Sequence, residues 1–258
     1  VSTPGYDAGS IQFRLPGIAE LIETCELRVP AYQRSYSWNV KGDEQVPEYW
    51  TDLERAFGEK GEYFLGTVVL SLDGEGSCRT IIDGQQRLAT TSLLLAAIRD
   101  ALMELGSKKA QIVGRDFLAK ETLASMGMVR RLQLNIDDDE YFGDIITDSR
   151  VGSPDRKVTS QLRIKGAFVY LLARANEVAA AGGEDQLIEW VSFLRDRARV
   201  GVIEVPTESD AYIIFETLND RGADLTPADL LKNYLTDVQE KNSKASASTG
   251  PVRWAHWS

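Results

Sequence analysis

The chain has 258 residues, 43% hydrophobic and 26% charged, enough for one large or two small domains of ordinary soluble composition. Its net charge of −10 argues against a general nucleic-acid coat, which needs clustered cations, but still allows a focused basic cleft. The single histidine, His256, supplies no parts for a Ser-His-Asp triad, a histidine metal site or a His-Asn-His nuclease, so any hydrolysis must rest on carboxylate, Gln, Arg and a metal ion.

Taken in chain order, 18–25 predicts a short helix entered through Pro16 and Gly17, and 27–30 a short strand running into a turn. The aromatic and polar segment 32–38 has no clear core period. Residues 48–57 predict a helix with Trp50, Leu53, Ala56 and Phe57 on one face. A strand over 64–72, a turn at 73–76 and a returning strand over 78–82 follow, then a long helix from 85 to 105 that stops at Gly106. Beyond it the pattern predicts helices over 116–124, 160–180, 187–197 and 210–218, with strands over 131–136 and 200–205 and a loop at 179–183. Thr226 and Pro227 open a further helix to about 238, and 241–250 reads as a linker. Four consecutive acids, 137–140, suggest a helix start or, without EF-hand spacing, a divalent-cation site.

Cys25 and Cys78 are too few for a disulfide framework, which fits a reducing cytoplasm. The first ten residues lack a signal-peptide layout, and no run reaches the roughly 18–20 apolar residues of a membrane span, so no membrane partner is expected.

The most informative segment is Asp83-Gly84-Gln85-Gln86-Arg87, between an apolar strand and the long helix. A glycine at such a turn lets a ligand approach the backbone, and free N–H groups with the helix dipole favour phosphate. Arg87 adds a fork that fits phosphate oxygens, Gln85 and Gln86 can donate or accept, and Asp83 can hold a metal or orient water. An ordinary strand-to-helix turn with a polar cap reads equally well from local pattern. Arg28, Arg34, Arg79 and Arg87 can line a basic cleft if the fold gathers them. Arg130, Arg131, Arg163 and Lys165 read rather as solvated surface.

Three ordered segments, 27–38 (LRVPAYQRSYSW), 64–70 with 81–88 (FLGTVVL, IIDGQQRL), and 215–222 with Leu225 and 229–232, resemble the N-terminal domain of GmrSD-type restriction proteins, related to the ParB/sulfiredoxin fold. The resemblance covers about residues 11–238. It implies an α+β fold with a small ParB/sulfiredoxin-like mixed sheet in the first half and a mainly helical second half. The divisions expected are a nucleotide-binding subdomain over 11–105, a helical subdomain over 106–240, and a tail over 241–258 leading toward a C-terminal His-Asn-His nuclease domain. It also implies a nucleotide-hydrolysing module that senses modified double-stranded DNA and controls that nuclease. A nucleoside triphosphate of unspecified base and Mg2+ are the implied cofactors. Sugar-modified cytosine and phosphorothioate linkages both suit the family, and a homo-oligomer is compatible with it.

On that resemblance Arg87 is expected to clamp a triphosphate, Gln85 and Gln86 to contact phosphate or position water, and Asp83 to bind magnesium. Gln33 and Arg34, with Gly84, are expected at the same cleft, and Asn219 and Arg221 to reach it from the second half. Arg34 in an ion pair, and Asn219 with Arg221 in a helix-ending turn, are the structural alternatives. Arg28, Tyr32, Tyr36 and Trp38 are candidates for DNA or for its modification, with Tyr36 and Trp38 as core residues the competing reading. A non-hydrolysing binding module is the alternative function. A nuclease in its own right ranks last, because no carboxylate cluster has a two-metal pattern.

Overall fold

The structure, a computed structural model, describes residues 11–41, 44–72, 78–122, 127–148, 152, 154–155 and 158–220. The two apolar runs flanking the 73–77 segment form β3 (Tyr63–Ser71) and β4 (Cys78–Asp83), antiparallel, with Leu70 opposite Ile81. Their aliphatic and β-branched residues suit a pleated buried surface. β8 (Ala198–Val205) runs parallel to β3, and β1 (Gln12–Arg14) pairs antiparallel with β8. On the other side, β2 (Glu26–Arg28) lies parallel to β4, and β7 (Leu132–Gln133) parallel to β2. The result is a six-stranded mixed sheet of order β1-β8-β3-β4-β2-β7, beside a two-stranded ribbon of β5 (Ala119–Thr122) and β6 (Gly127–Arg130).

Helix α3 (Gln85–Glu104) is the axis of the core. Leu88, Leu93, Leu94, Leu95, Ala96, Ala97 and Leu102 are all buried, as are Thr90, Thr91 and Ser92, so it is enclosed on nearly every side rather than laid on the surface as an amphipathic helix. It packs against α1 (Ile18–Thr24), α4 (Lys109–Val113), α5 (Asp139–Asp148) and α6 (Thr159–Asp196). Helix α2 (Gln45–Gly58) docks on α6 through an aromatic stack, with Trp50 and Phe57 lying 4.6 and 4.5 Å from the Trp190 ring. Stacked rings add stabilisation beyond their buried area.

The α+β class follows the sequence, with differences in detail. The helix expected over 116–124 is a π-helical turn, Gly114–Leu118, that passes into β5. β5 pairs antiparallel with β6, Ala119 opposite Arg130, and the Arg131 N–H donates to the Leu118 carbonyl at 2.8 Å, so strand pairing overrides local helical preference. The loop expected at 179–183 is helical up to a break at Gly183, at φ 64° and ψ −154°, inside α6. The alanines before it carry the helix on. β7 and β8, from the second half of the chain, join the same sheet as β3 and β4. Helix α7 (Glu208–Asp220) begins after β8; the helix expected over 226–238 and the 241–250 linker lie outside the described residues. No helix among the described residues is long and apolar enough to cross a membrane.

Candidate functional site

The turn from β4 into α3 is as tight as its sequence suggests. Gly84 sits at φ +93°, and a Cβ there would lie 2.8 Å from Val68 Cγ2 and 3.3 Å from Val68 Cα. Both the left-handed conformation and the close approach require glycine. Gly84 is the N-cap of a 20-residue helix, and no side chain caps the first turn. The first N–H groups of α3 therefore keep the positive end of the helix dipole available to an anion.

Around this turn the polar motif residues hold the 33–37 segment in place. The Gln86 side chain is 7% exposed; its amide donates to the Ser35 carbonyl at 3.4 Å and accepts from the Ser37 N–H at 2.9 Å. The Gln85 amide donates to the Arg34 carbonyl at 3.2 Å, and the Gln33 amide to the Ile82 carbonyl at 3.0 Å. Ile82 is the residue skipped where the β3–β4 register shifts, so Gln33 supplies a partner at a bulge. On the other side the Asn135 amide donates to the Gln33 carbonyl at 3.0 Å, and Asp138 Oδ2 accepts from the Tyr36 N–H at 2.7 Å. Tyr36 is buried and its hydroxyl lies 2.8 Å from that of Thr90 on α3. Burial pushes the Tyr36 phenol well above its ordinary range despite that hydrogen bond.

Arg87 points back to β3. Its Nη1 donates to the Leu65 carbonyl at 2.7 Å, beside Gly66 at φ +93°, where a Cβ would lie 2.5 Å from that nitrogen. A side chain at 66 would displace the guanidinium, which explains the glycine in FLGTVVL. Arg34 is exposed and Asp83 half-buried, and among the described residues neither side chain has a hydrogen-bond or ion-pair partner. Arg34, Asp83, the outer face of Gln85 and the uncapped helix start are thus the groups here that protein contacts leave to a ligand. Magnesium commonly keeps waters and takes one or two carboxylates plus phosphate oxygens, and Asp83 fits that limited demand. No group of three His, Cys, Asp or Glu gathers among the described residues. In the 137–140 run, Asp139 and Glu140 occupy the first turn of α5, while Asp138 turns inward.

The other candidates are dispersed. Arg79 lies 3.7 Å from the buried Glu204, which also pairs with Arg14 at 3.1 Å, and Arg130 pairs with Asp139. Arg28 is exposed on β2 and donates to Gln133 at 3.2 Å. Tyr32 is 54% exposed, its hydroxyl donating to Glu208 at 2.8 Å. Trp38 is half-buried against Tyr49, ring centroids 5.6 Å apart. Asn219 falls at the end of α7, where side chains are not described, and Arg221 lies outside the described residues.

With this geometry in hand, the comparison with protein families is decisive on one point. The family described as GmrSD restriction endonuclease, N-terminal domain, matches residues 18–236. The chain belongs to that family. No curated protein matches it. The GmrSD match spans β2, the β3–β4 pair, the start of α3 and α7, and it ties the domain to restriction and so to DNA.

Sequence reasoning missed Asn135 and Asp138, which hold the 33–36 backbone from the side opposite α3. The acidic run was a signal, but its reading as a helix start concealed the inward turn of one member.

Proposed function

We propose that this GmrSD domain is an NTP-hydrolysing sensor of modified DNA that regulates a His-Asn-His nuclease domain of the same protein. The observation that carries the reading is the uncapped start of α3 behind a left-handed glycine, with Arg34 and Asp83 beside it and unpartnered among the described residues. Phosphate oxygens would take the free N–H groups and the Arg34 guanidinium, with Mg2+ held by Asp83 and the phosphates themselves. Magnesium would offset charge developing on the phosphates. Gln85, one end of which is tied to Arg34, would use its carbonyl oxygen to orient the attacking water. Gln86 and Gln33 would act through the backbone they hold, and Arg87 through its remaining N–H groups. Exposed Tyr32 and Arg28 are the best placed of the aromatic and basic candidates to meet DNA, by stacking and by phosphate contact.

Phosphate release from each of the four NTPs, with unmodified, phosphorothioate-linked and sugar-modified duplexes in parallel, tests this. Stimulation by one modified duplex supports the sensor and names its ligand. A second reading, a ParB-like module that binds nucleotide or DNA without turnover, draws on a specific observation: Gln33, Gln86 and part of Arg87 are spent on backbone contacts. Magnesium-dependent nucleotide binding with no phosphate release would select it.

A further inference from the structure

A cavity of about 720 Å³ opens between the end of α3, α4, the β5–β6 ribbon and the last turn of α5. Small-molecule sites commonly occupy roughly 300–1,000 Å³. Three large apolar side chains line it from three elements, Met103 of α3, Ile112 of α4 and Met128 of β6, and they are 56%, 48% and 56% exposed. Single exposed apolar side chains are ordinary, but three that converge on one space leave it with apolar walls open to water. Two of the chain's three methionines are among them, and methionine adapts its shape to an apolar guest.

The charges of the lining are not equally spent. Arg99 is buried and donates to the carbonyls of Ile145 and Ile146. Arg115 pairs with Asp116 at 2.7 Å, and Lys120 with Glu26 at 2.9 Å. Arg131 is different. The sequence suggests a solvated surface residue, but the side chain is half-buried, its Nε is buried, and it has no hydrogen-bond or ion-pair partner among the described residues. Its backbone is fixed, the N–H donating to the Leu118 carbonyl and the carbonyl accepting from the Leu27 N–H, both at 2.8 Å. A guanidinium does not deprotonate, so Arg131 puts a permanent, unpaired positive charge at the cavity wall of a chain whose net charge is −10. Its attraction for an anion acts through space, whichever N–H group meets the ligand.

These two features together narrow the occupant. A bare inorganic anion would leave the apolar walls wet, and a neutral apolar molecule would desolvate the guanidinium without pairing it. We propose that the cavity binds a small organic anion, with one carboxylate, sulfonate or phosphate group on an apolar body. The anionic group would pair with Arg131, and the body would lie against Met103, Ile112 and Met128. The start of α3 takes no part, so this site stands or falls separately from the NTPase reading.

The test is fluorescence titration of the whole folded chain with 8-anilinonaphthalene-1-sulfonate and with N-phenyl-1-naphthylamine, the same ring system without the sulfonate. The sulfonate is expected to bind saturably, one per chain, and about tenfold or more tighter than the neutral probe. Arg131→Gln is expected to weaken the sulfonate by about tenfold while leaving the neutral probe and the unfolding midpoint unchanged, since the Arg131 side chain holds no described residue in place. Arg131→Lys, which keeps the charge, is expected to retain most of the affinity, and Ile112→Asp to weaken both probes. No saturable binding of the sulfonate would overturn the proposal, as would equal affinity for the two probes, a comparison that needs no variant. Unchanged sulfonate binding in a folded Arg131→Gln would overturn it as well.

Discussion

The two ends of α3 differ in a way that neither end shows alone. At its start the motif residues are drawn into backbone contacts around a cavity of about 10 Å³. Toward its other end, beside Arg99, Met103, Ile112, Met128 and Arg131, a cavity of about 720 Å³ opens where the sequence carries no motif. Volume alone would choose the second. At the first, however, an uncapped helix start meets a guanidinium and a carboxylate that no described residue engages. The difference teaches that the polar motif marks where the backbone is held in place and an uncapped helix start is electrostatically ready for an anion, not where the space is largest. A triphosphate at the first end would lie over the exposed surface of Arg34 and Gln85 rather than in an enclosed hole.

The largest expected effect on stability belongs to the far end. Arg99 is buried, donates to the Ile145 carbonyl at 3.0 Å and to that of Ile146, and pairs with Asp100. Those carbonyls lie in the last turn of α5, where a cation is favoured. Arg99→Ala should cost about 3 kcal/mol in chemical denaturation while leaving nucleotide affinity unchanged wherever the variant is folded. Next comes Gly84→Ala, which forces a side chain into a left-handed turn and against Val68. Loss of about 2 kcal/mol, together with loss of phosphate release, is expected, and a variant as stable and active as wild type would break the link between turn and site.

The neighbouring glutamines sharpen the comparison. Gln86→Ala should cost about 1–2 kcal/mol, because the Ser37 N–H and Ser35 carbonyl lose their partner, whereas Gln85→Ala should stay within about 0.5 kcal/mol and act on turnover instead. The smallest effect is a pH dependence. Burial raises the folded Asp138 carboxyl above its ordinary 3.8, so the folded state binds the extra proton. This group's contribution to stability therefore falls as pH rises from about 3.8 through the raised value, then levels off. Denaturant titrations of wild type and Asp138→Asn across that window should differ in slope in that sense.

Much of this is legible in the sequence alone. The strand, glycine and helix of 78–104 follow from an apolar run, a turn residue and a long apolar helix, all local signals. β1, three residues long, carries no such signal and exists because β8 offers an edge. The 116–124 segment misleads because its pattern is helical while its pairing to β6 is tertiary. Within the site, the left-handed Gly84 and the helix start can be read, but not which glutamine turns inward. Gln85 and Gln86 are adjacent and identical, and a helix places them about 100° apart, so the position of the 33–37 segment decides their roles.

The most direct test of the central claim, that the start of α3 is the nucleotide site, is magnesium-dependent phosphate release by wild type and Arg34→Ala, each paired with its unfolding midpoint. Arg34 is exposed and without a side-chain partner among the described residues, so the midpoint should not move. Turnover should fall about tenfold or more, since a charged phosphate contact is worth at least about 1.4 kcal/mol. Unchanged turnover in Arg34→Ala at an unchanged midpoint would place the nucleotide elsewhere and contradict the account.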